Sequence, residues 1–109
     1  MISIDEFQKV EMRVGLVTEA NEVMKSAKLI KLIVNFGDET RTIFTAVRPY
    51  GYKAKYFLNK KFVFVTNLEY KKIMDEESQG MILAAEGSDG KPIFLMPASR
   101  KTELGAKVR

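Results

Sequence analysis

Apolar and polar residues alternate near the start of the chain. In "VEMRVGLVTEA", apolar residues occupy most alternate positions from Val10 to Ala20. This period of two predicts a strand with one face turned inward. Gly15 within it indicates a bend or bulge, which lets a strand curve through a barrel. Before this strand, the S-x-x-E spacing of Ser3 and Glu6 predicts a short helical turn.

The next two apolar segments predict a hairpin. In "LIKLIVNF", every second residue from Ile30 to Phe36 is apolar, so these residues share one face of a strand. Residues 37–38 predict a tight turn, and "RTIFTAV" predicts the returning strand. Residues 48–51 end the alternation, and "KAKYFL" predicts one or two turns of helix.

Further strands follow in the second half of the chain. "FVFVTNL" is apolar at nearly every position, which is typical of a central strand covered on both sides. "GMILAAE" predicts another strand, residues 88–91 a turn, and "PIFLM" a short final pairing. Two polar segments, "NEVMKSAKL" and "EYKKIMDEES", are predicted as loops.

The order of these elements indicates the fold class. Three strands, a short helical linker, two strands and a small hairpin predict a mainly β protein. We expect a five-stranded OB-fold barrel with short helices and a small C-terminal hairpin, because a curved first strand and a helix after the third suit that fold. A small sandwich is the alternative. No linker, repeat or low-complexity stretch divides residues 1–109, which are expected to form a single domain.

The composition excludes several kinds of site. The chain has no Cys and no His, so it lacks disulfides, thiolate metal sites and the common Ser-His-Asp and Cys-His catalytic groups. Carboxylate pairs are present, but nothing fixes their spacing as a glycosidase requires. We expect a binding protein, not an enzyme, with no cofactor. No apolar run approaches the ~20 residues that span a bilayer and no leader opens the chain, which predicts a cytoplasmic protein without membrane association.

Basic residues concentrate in the middle of the chain. The net charge is +4, and residues 24–72 carry eleven basic residues against three acidic ones, whereas the segments on either side are net acidic. A phosphate backbone selects for this uneven distribution, and a solvated lysine-rich surface is the alternative. We call residues 24–72 the basic belt.

The predicted fold brings part of the basic belt to one surface. OB barrels bind oligonucleotides on strands 2 and 3 and on the loops joining strands 1–2 and 4–5. Six cations lie on these elements, two in each loop and two at predicted outward strand positions: Lys25, Lys28, Lys71, Lys72, Lys31 and Arg41. Most strand aromatics suit core positions, and Phe44 is the one that can face outward. The surface therefore suits a folded RNA recognised by its backbone and shape more than bases stacked on rings.

Three carboxylates, at residues 75–77, precede a Ser-Gln-Gly step at the start of a strand. Metal binding requires carboxylates that converge, whereas consecutive ones diverge, and no motif such as D-x-D-x-D-G is present. We expect all three to point into solvent and predict no metal site. Gly80 is expected to let the backbone turn tightly, while Ser78 and Gln79 offer hydrogen-bonding groups to phosphate or sugar.

Four segments resemble the tRNA-binding domain of the endothelial monocyte-activating polypeptide II type. They are "IDEFQKVEMRVGLVTEANEV", "AKLIKLIVNFGDETRTI", "FVFVTNLEYKKIM" and "ESQGMILAAEG", and they cover residues 4–87. The most specific motifs are F-x-K-V-x-x-R-V-G and S-Q-G-M. This domain occurs at the C-terminus of methionyl-tRNA synthetases and as a stand-alone dimeric protein. The resemblance implies an OB barrel that grips the outer corner of tRNA.

The resemblance also implies which residues contact RNA. By position it indicates Lys28, Lys31, Arg41, Asn67, Lys71, Ser78, Gln79 and Met81, and the basic loop adds Lys72. For Asn67, a strand-end cap is the alternative. The chain departs from its relatives at Asp75 and Glu76, which add negative charge and are expected to weaken affinity or narrow the set of tRNAs. "YKAKYF" departs in the other direction by adding basic charge.

Two functions and a set of partners follow from the resemblance. The first is a non-catalytic tRNA-binding protein, acting in trans or as the small beta subunit of methionyl-tRNA synthetase. The alternative is a chaperone-like module for unfolded or exported polypeptide, because a bacterial secretion chaperone shares the architecture and exposed Met24, Met74 and Met81 could hold peptide. A homodimer is implied, burying the N-terminal turn and C-terminal segment. Seven apolar residues could supply that contact or pack onto their own barrel: Ile2, Ile4, Phe7, Leu95, Met96, Leu104 and Val108.

Overall fold

The computed structural model describes all residues from 1 to 109, and most of its regular structure is β. The strands are Met12–Glu22 (β1), Ile30–Asn35 (β2), Thr40–Thr45 (β3), Lys61–Val65 (β4), Lys71–Ile73 (β5), Glu76–Ser78 (β6), Met81–Ile82 (β7), Ala84–Glu86 (β8), Pro92–Phe94 (β9) and Lys107–Val108 (β10). Two short helices, Ile4–Phe7 (α1) and Ala54–Phe57 (α2), and a 3-10 turn at Arg48–Tyr50 complete the elements. No helix has the length and apolar character needed to cross a membrane.

The predicted capping box opens the structure. Ser3 Oγ accepts the backbone N–H of Glu6 at 3.1 Å, and Glu6 Oε1 accepts that of Ser3 at 3.3 Å. These reciprocal bonds satisfy two N–H groups that the first turn of a helix leaves free. The helical turn expected from the S-x-x-E spacing is confirmed as α1.

Five antiparallel strands form a nearly closed barrel in the order β3-β2-β1-β4-β7, and β10 adds to β1. The predicted OB-like barrel is confirmed, and the sandwich alternative is wrong. Long β1 serves both halves, since Met12–Leu16 pair with β4 and Leu16–Glu22 pair with β2. Its irregularity lies between Val17 and Glu19, two residues after the predicted position at Gly15. Gly15 is needed for another reason, because a Cβ there would lie 2.7 Å from the Phe36 ring.

The barrel interior is built from alternating strand residues and phenylalanine rings. Every second residue from Ile30 in β2 to Phe36, just after β2, is fully buried, as the period of two predicted. The predicted helix is confirmed as α2, which packs Phe57 against the core edge-on to Phe94, with ring centroids 5.0 Å apart. β4 is central, between β1 and β7, with Phe62 and Phe64 fully buried.

Three elements differ from the predicted ones. The predicted loop "EYKKIMDEES" contains a β-hairpin, β5 and β6, with Met74 in the left-handed conformation at its turn (φ +56°). Its charged composition has low β propensity, so no strand was predicted there. The predicted strand "GMILAAE" is split at Leu83 into β7, which pairs with β4, and β8, which forms the predicted C-terminal hairpin with β9. The two-residue strand β10 was not predicted.

Candidate nucleic-acid interface

Two side-chain hydrogen bonds and one backbone hydrogen bond, rather than a strand ladder, close the barrel between β3 and the segment that joins β6 to β7. Ser78 Oγ accepts the backbone N–H of Phe44 at 3.0 Å, and Gln79 Oε1 accepts that of Thr42 at 2.8 Å. The Gln79 backbone N–H donates to Thr42 O at 2.8 Å. These bonds satisfy the free edge of β3, which would otherwise expose unpaired backbone groups. We call this contact the seam, and it uses the side-chain oxygens predicted to face RNA.

Gly80 lies where the seam meets β4. A Cβ at this position would lie 2.8 Å from Val65 O and 3.2 Å from Ile43 Cδ1. Only glycine lets the chain approach both groups without displacing them. Gly80 is therefore required because Val65 and Ile43 of the barrel pack closely against it.

Arg41 points inward, not outward as predicted. In the ladder of β2 and β3 it lies opposite Val34, which is fully buried. It is also two residues from Ile43, another fully buried side chain, and residues two apart share one face of a strand. Strand parity therefore places Arg41 on the inner face, at the end of the barrel.

All three nitrogens of the Arg41 guanidinium donate hydrogen bonds within the chain. Its Nη1 donates to the carbonyl oxygens of Thr66 and Gln79. Its Nε and Nη2 donate to the two carboxylate oxygens of Glu39, at 2.8 and 3.1 Å. This pairing with Glu39 raises the pKa of Arg41, and the same hydrogen bonds lower the pKa of Glu39. Arg41 thus fastens the seam to the turn between β2 and β3.

Arg13 joins the same turn from β1. Its Nη2 lies 2.6 Å from Asp38 Oδ1, its Nη1 lies 3.0 Å from Glu39 Oε2, and its guanidinium lies over the Phe36 ring. The hydrogen bond with Asp38 raises the pKa of Arg13 and lowers that of Asp38. Arg13, Asp38, Glu39 and Arg41 form one cluster with two charges of each sign, so it adds no net charge to a binding surface.

Asn67 uses both ends of its amide to hold the segment before β1. Oδ1 accepts the backbone N–H of Glu11 at 2.7 Å, and Nδ2 donates to Lys9 O at 2.6 Å. The amide therefore anchors residues 9–11 to the end of β4. Its oxygen and nitrogen already have protein partners, which favours the capping interpretation of this residue.

Lys31 is paired with one of the three carboxylates. Its Nζ lies 2.6 Å from Glu76 Oε1, and both side chains are partly exposed. All three carboxylates are exposed, as expected, but Glu76 is not free, because it reaches across the outside of β3 to pair with Lys31. The pair joins the β5–β6 hairpin to β2 and neutralises a cation predicted to face RNA.

The outer face of β2 and β3, together with the β5–β6 hairpin, forms what we call the open face. Lys31, Ile33 and Asn35 alternate on β2 and lie opposite Phe44, Thr42 and Thr40 on β3. Phe44, the strand aromatic that the sequence allowed to face outward, lies on this outer face. Lys71 and Lys72 are exposed on the hairpin, and Lys28 is exposed in the loop before β2. Met81 lies on β7 with 46% of its surface exposed.

The loop that carries Lys28 is braced by Arg48. Arg48 Nη1 donates to the carbonyl oxygens of Val23 and Ser26, and its backbone N–H donates to Lys28 O at 3.2 Å. The 3-10 turn that begins at Arg48 and the loop between β1 and β2 therefore form one bonded unit. This contact fixes the backbone of Lys28 while its side chain stays exposed.

The basic belt does not converge on one surface as a whole. Arg41 and Arg48 make internal contacts, and Lys61 Nζ donates to the carbonyl oxygens of Arg100 and Thr102. Other cations line a separate depression with two tyrosines beside α2: Lys53, Lys55 and Lys91 with Gly51, Tyr52 and Tyr56. We call this depression the lysine–tyrosine pocket. In the sequence, the basic segment "YKAKYF" indicated a concentration of positive charge at this place. That Lys91 joins it is seen only in the structure.

No cluster of three or more acidic side chains is placed to hold a metal ion. Asp75, Glu76 and Glu77 do not form such a group: Glu76 and Glu77 are neighbours on β6 and project to opposite faces, and Asp75 lies in the turn before them.

Comparison with known families and sequences connects this barrel to tRNA binding. A family model described as "Putative tRNA binding domain" matches residues 12–107. The methionine–tRNA ligase of Archaeoglobus fulgidus is 45% identical over 107 residues, which are 98% of this chain and 16% of that ligase. The chain therefore spans about 16% of the length of this relative.

Two solved structures share the complete fold. A MetRS related protein from Pyrococcus horikoshii superposes with a TM-score of 0.93 and 42% identity, covering 100% of this chain and 98% of that one. A CsaA chaperone protein from Picrophilus torridus superposes with a TM-score of 0.86 and 29% identity, covering 100% of both chains.

Proposed function

The chain belongs to the tRNA-binding domain family, and from this membership we propose that residues 1–109 act as a single non-catalytic domain that binds tRNA. The observation that carries the proposal is the extent of the family match. It spans the barrel from β1 to β10 and includes both lysine-bearing segments of the open face, around Lys28 and around Lys71.

We propose that tRNA lies on the open face. Lys28, Lys31, Lys71 and Lys72 supply charge to phosphates, and Met81 supplies an apolar contact. Arg41, Asn67, Ser78 and the side-chain oxygen of Gln79 are hydrogen-bonded within the chain and support its backbone. Lysines act as point charges and read no base sequence. Recognition of tRNA by shape, at its outer corner, suits such a surface.

The relation to methionine–tRNA ligases suggests where the domain acts. Its matched relatives carry this domain within a much longer chain, whereas the Pyrococcus horikoshii structure is of similar length to this chain. We propose that the domain works in trans or as a small subunit beside methionyl-tRNA synthetase, where it raises the local concentration of tRNA. Because tRNA is used in translation, we place it in the cytoplasm.

We propose that the domain is a homodimer. Ile4, Phe7, Val10 and Val108 line a groove of about 440 Å³ between α1 and β10. Ile4 is 67% exposed and Val10 43%, so the groove presents apolar surface that a second copy could cover. Light scattering should show a dimer, and Phe7→Glu should convert it to a monomer. A monomer in the unchanged protein would contradict this proposal.

A salt series tests tRNA binding directly. Fluorescence anisotropy with purified tRNA and with a single-stranded oligonucleotide of equal length should show tighter binding of the tRNA. The log–log dependence of the binding constant on salt should have a slope of several units, because each phosphate contact releases counterions.

Charge reversal identifies the surface. Lys28→Glu or Lys71→Glu should weaken tRNA binding and flatten the salt slope by about one unit or more. Lys101→Glu is the matched control, since Lys101 is exposed in the C-terminal segment outside the open face. Binding that is independent of salt, or equal losses from all three variants, would contradict the proposed surface.

The CsaA similarity supports a second candidate function, the binding of unfolded polypeptide. Met24 is 98% exposed and Met74 48% exposed, and flexible methionine side chains adapt to varied apolar partners. Suppression of aggregation of a denatured test protein at low molar ratio, without a shift of tRNA, would favour this candidate. If tRNA competes with the test protein, the two ligands share a surface.

A further inference from the structure

The lysine–tyrosine pocket is a second concentration of positive charge. It has a volume of about 670 Å³, which is enough for a phosphodiester and its neighbouring riboses by comparison with ordinary ligand pockets of roughly 300–1,000 Å³. Lys53 and Lys55 reach it from the N-terminal side of α2, and Lys91 reaches it from the turn before β9. Tyr52 Oη donates to Pro92 O at 2.6 Å and so joins these two segments.

The lysines of this pocket form no ion pairs within the chain. None of its three lysines has a carboxylate oxygen within 4.0 Å, in contrast to Lys31. Glu22 and Asp89, on neighbouring segments, accept the backbone N–H groups of Ala54 and Lys91 and form no ion pair with these lysines. Unpaired lysines gathered around one depression attract an anion.

The tyrosine rings position cations and leave little room for a stacked base. Lys91 Nζ lies 5.3 Å from the centroid of the Tyr52 ring, and Lys60 Nζ lies 4.0 Å from that of Tyr56. The two rings also pack edge-on to each other at 5.0 Å. These cation–π contacts hold the two ammonium groups over the ring faces. The ligand chemistry indicated is therefore a phosphate anion, not an aromatic base.

Hydrogen bonds connect the backbone at the rim of the pocket to the proposed tRNA surface. Gly51, on its rim, donates its backbone N–H to Arg48 O, and Arg48 is bonded to the loop that carries Lys28. The 3-10 turn thus links Lys28 to the pocket through consecutive residues. One long polyanion could contact both places.

We propose that the lysine–tyrosine pocket binds backbone phosphates of RNA, as a second contact that extends the tRNA surface around the end of the barrel. The inference rests on the proposed tRNA binding for its biological ligand. Its physical basis is independent of that function: three unpaired lysines surround a depression whose rings are occupied by cations. The contact is independent of base sequence and sensitive to salt.

Paired charge removals test the pocket. Lys55→Gln with Lys91→Gln removes two of its cations and leaves Lys53, which precedes α2, unchanged. Arg100→Gln with Lys101→Gln removes the same charge from the exposed C-terminal segment. The pocket variant should weaken tRNA binding about tenfold at low salt and reduce the log–log salt slope by about two units, whereas the control changes both much less. Thermal unfolding of both variants checks that the fold is retained.

A local readout separates this inference from the proposed function. In a titration with short single-stranded oligouridylate followed by NMR, amide signals of residues 51–56 and 91 should shift, and the shifts should disappear in the pocket variant. If tRNA binds but the two double variants behave alike, the pocket inference is overturned and tRNA binding stands. If tRNA does not bind but oligouridylate shifts these signals, the proposed function fails and the pocket inference stands. Shifts caused by polyglutamate and not by oligouridylate would overturn the assignment to RNA.

Discussion

Ser78 Oγ accepts the backbone N–H of Phe44 at 3.0 Å, so a hydroxyl group takes the place of a strand partner at the open edge of the barrel. Ser78 is only 7% exposed, and its own hydroxyl donates to Gly80 O at 3.2 Å. The polar Ser-Gln-Gly step therefore completes the barrel wall. It shapes the outer surface by holding β6 against β3.

Removal of this hydroxyl should destabilise the fold. Ser78→Ala leaves the N–H of Phe44 without an acceptor, and an unsatisfied buried donor costs about 1–3 kcal/mol. Urea unfolding should show this loss as a lower midpoint with an unchanged slope. Glu77→Ala, at the exposed neighbouring position, should change stability by less than about 0.5 kcal/mol. Equal effects of the two variants would show that the seam does not depend on this bond.

Arg41 and Lys72 should separate stability from RNA binding. Arg41→Met removes the donor of two backbone carbonyls and the partner of Glu39, and should cost about 2–4 kcal/mol of unfolding free energy. Lys72→Met, on the exposed hairpin, should leave stability within about 0.5 kcal/mol but reduce the salt slope of tRNA binding by about one unit. Urea unfolding and anisotropy on both proteins provide the comparison. A reduced salt slope in Arg41→Met at unchanged stability would show that Arg41 contacts phosphate.

The barrel could be predicted from the sequence because its inner residues follow strict alternation. Every second residue from Ile30 to Phe36 is apolar, and all four of these inward residues are fully buried, although outward Ile33 is apolar too. The sequence marked Gly15 as a special position. The requirement for glycine there comes from the close approach of Phe36, which is 21 residues away in sequence. A local pattern contains no information on such contacts.

The candidate site was harder to predict because a side chain's type does not tell whether it is already bonded. Arg41 and Lys31 are both cations on adjacent strands, yet one is on the inner face and the other is paired with Glu76. Strand parity counted from Ile43 would have placed Arg41 inside. The partner of Lys31 could not be found by counting, because it lies on a hairpin that the sequence does not predict.

Stability should fall in acid because of the charge cluster at the β2–β3 turn. Hydrogen bonds from Arg13 and Arg41 hold the pKa values of Asp38 and Glu39 below their ordinary 3.8 and 4.5. A carboxyl with a lower pKa when folded stabilises the fold above its unfolded pKa and loses that contribution as the pH falls through the folded pKa. In a series of urea unfolding curves from about pH 7 to about pH 3, the midpoint should therefore fall mainly once the pH is below these ordinary pKa values.

Removing one carboxylate tests this pH dependence. Glu39→Gln should be less stable near neutral pH and should lose less stability on acidification, so the two curves converge in acid. Glu69→Gln, on an exposed residue outside the cluster, should follow the unchanged protein throughout. Parallel curves for Glu39→Gln and the unchanged protein would show that this carboxylate does not control the acid response.

The hairpin turn offers a stabilising change. Met74 has φ +56° and is 48% exposed, and the left-handed conformation costs a residue with a side chain about 1–2 kcal/mol. Met74→Gly should therefore raise the unfolding free energy, by about 0.5–1 kcal/mol after the greater flexibility of unfolded glycine is included. Lys72→Gly, within a strand of the same hairpin, should lower it. A loss of stability in both variants would mean that Met74 contributes contacts worth more than the strain.

Glu76 should limit the affinity of the open face for tRNA. Its carboxylate lies 2.6 Å from Lys31 Nζ, so a phosphate that approaches Lys31 must displace Glu76 or accept its repulsion. Glu76→Gln keeps the size of the side chain but releases the ammonium group. The expected result is a tRNA dissociation constant lower by about three- to tenfold at low salt and a salt slope steeper by about one unit. Above about 0.5 M salt, where screening acts within a few ångströms, the difference should vanish.

Glu77→Gln provides the matched charge change for this last prediction. Glu77 lies opposite Lys72 in the hairpin register, without an ion pair to any lysine. The Glu77→Gln substitution removes one negative charge from the same strand as Glu76→Gln, so a general effect of net charge is the same in both variants. A larger gain from Glu76→Gln than from Glu77→Gln would assign the effect to release of Lys31. Equal gains would assign it to net charge alone, and weaker tRNA binding by Glu76→Gln would mean that Glu76 orients Lys31 for phosphate.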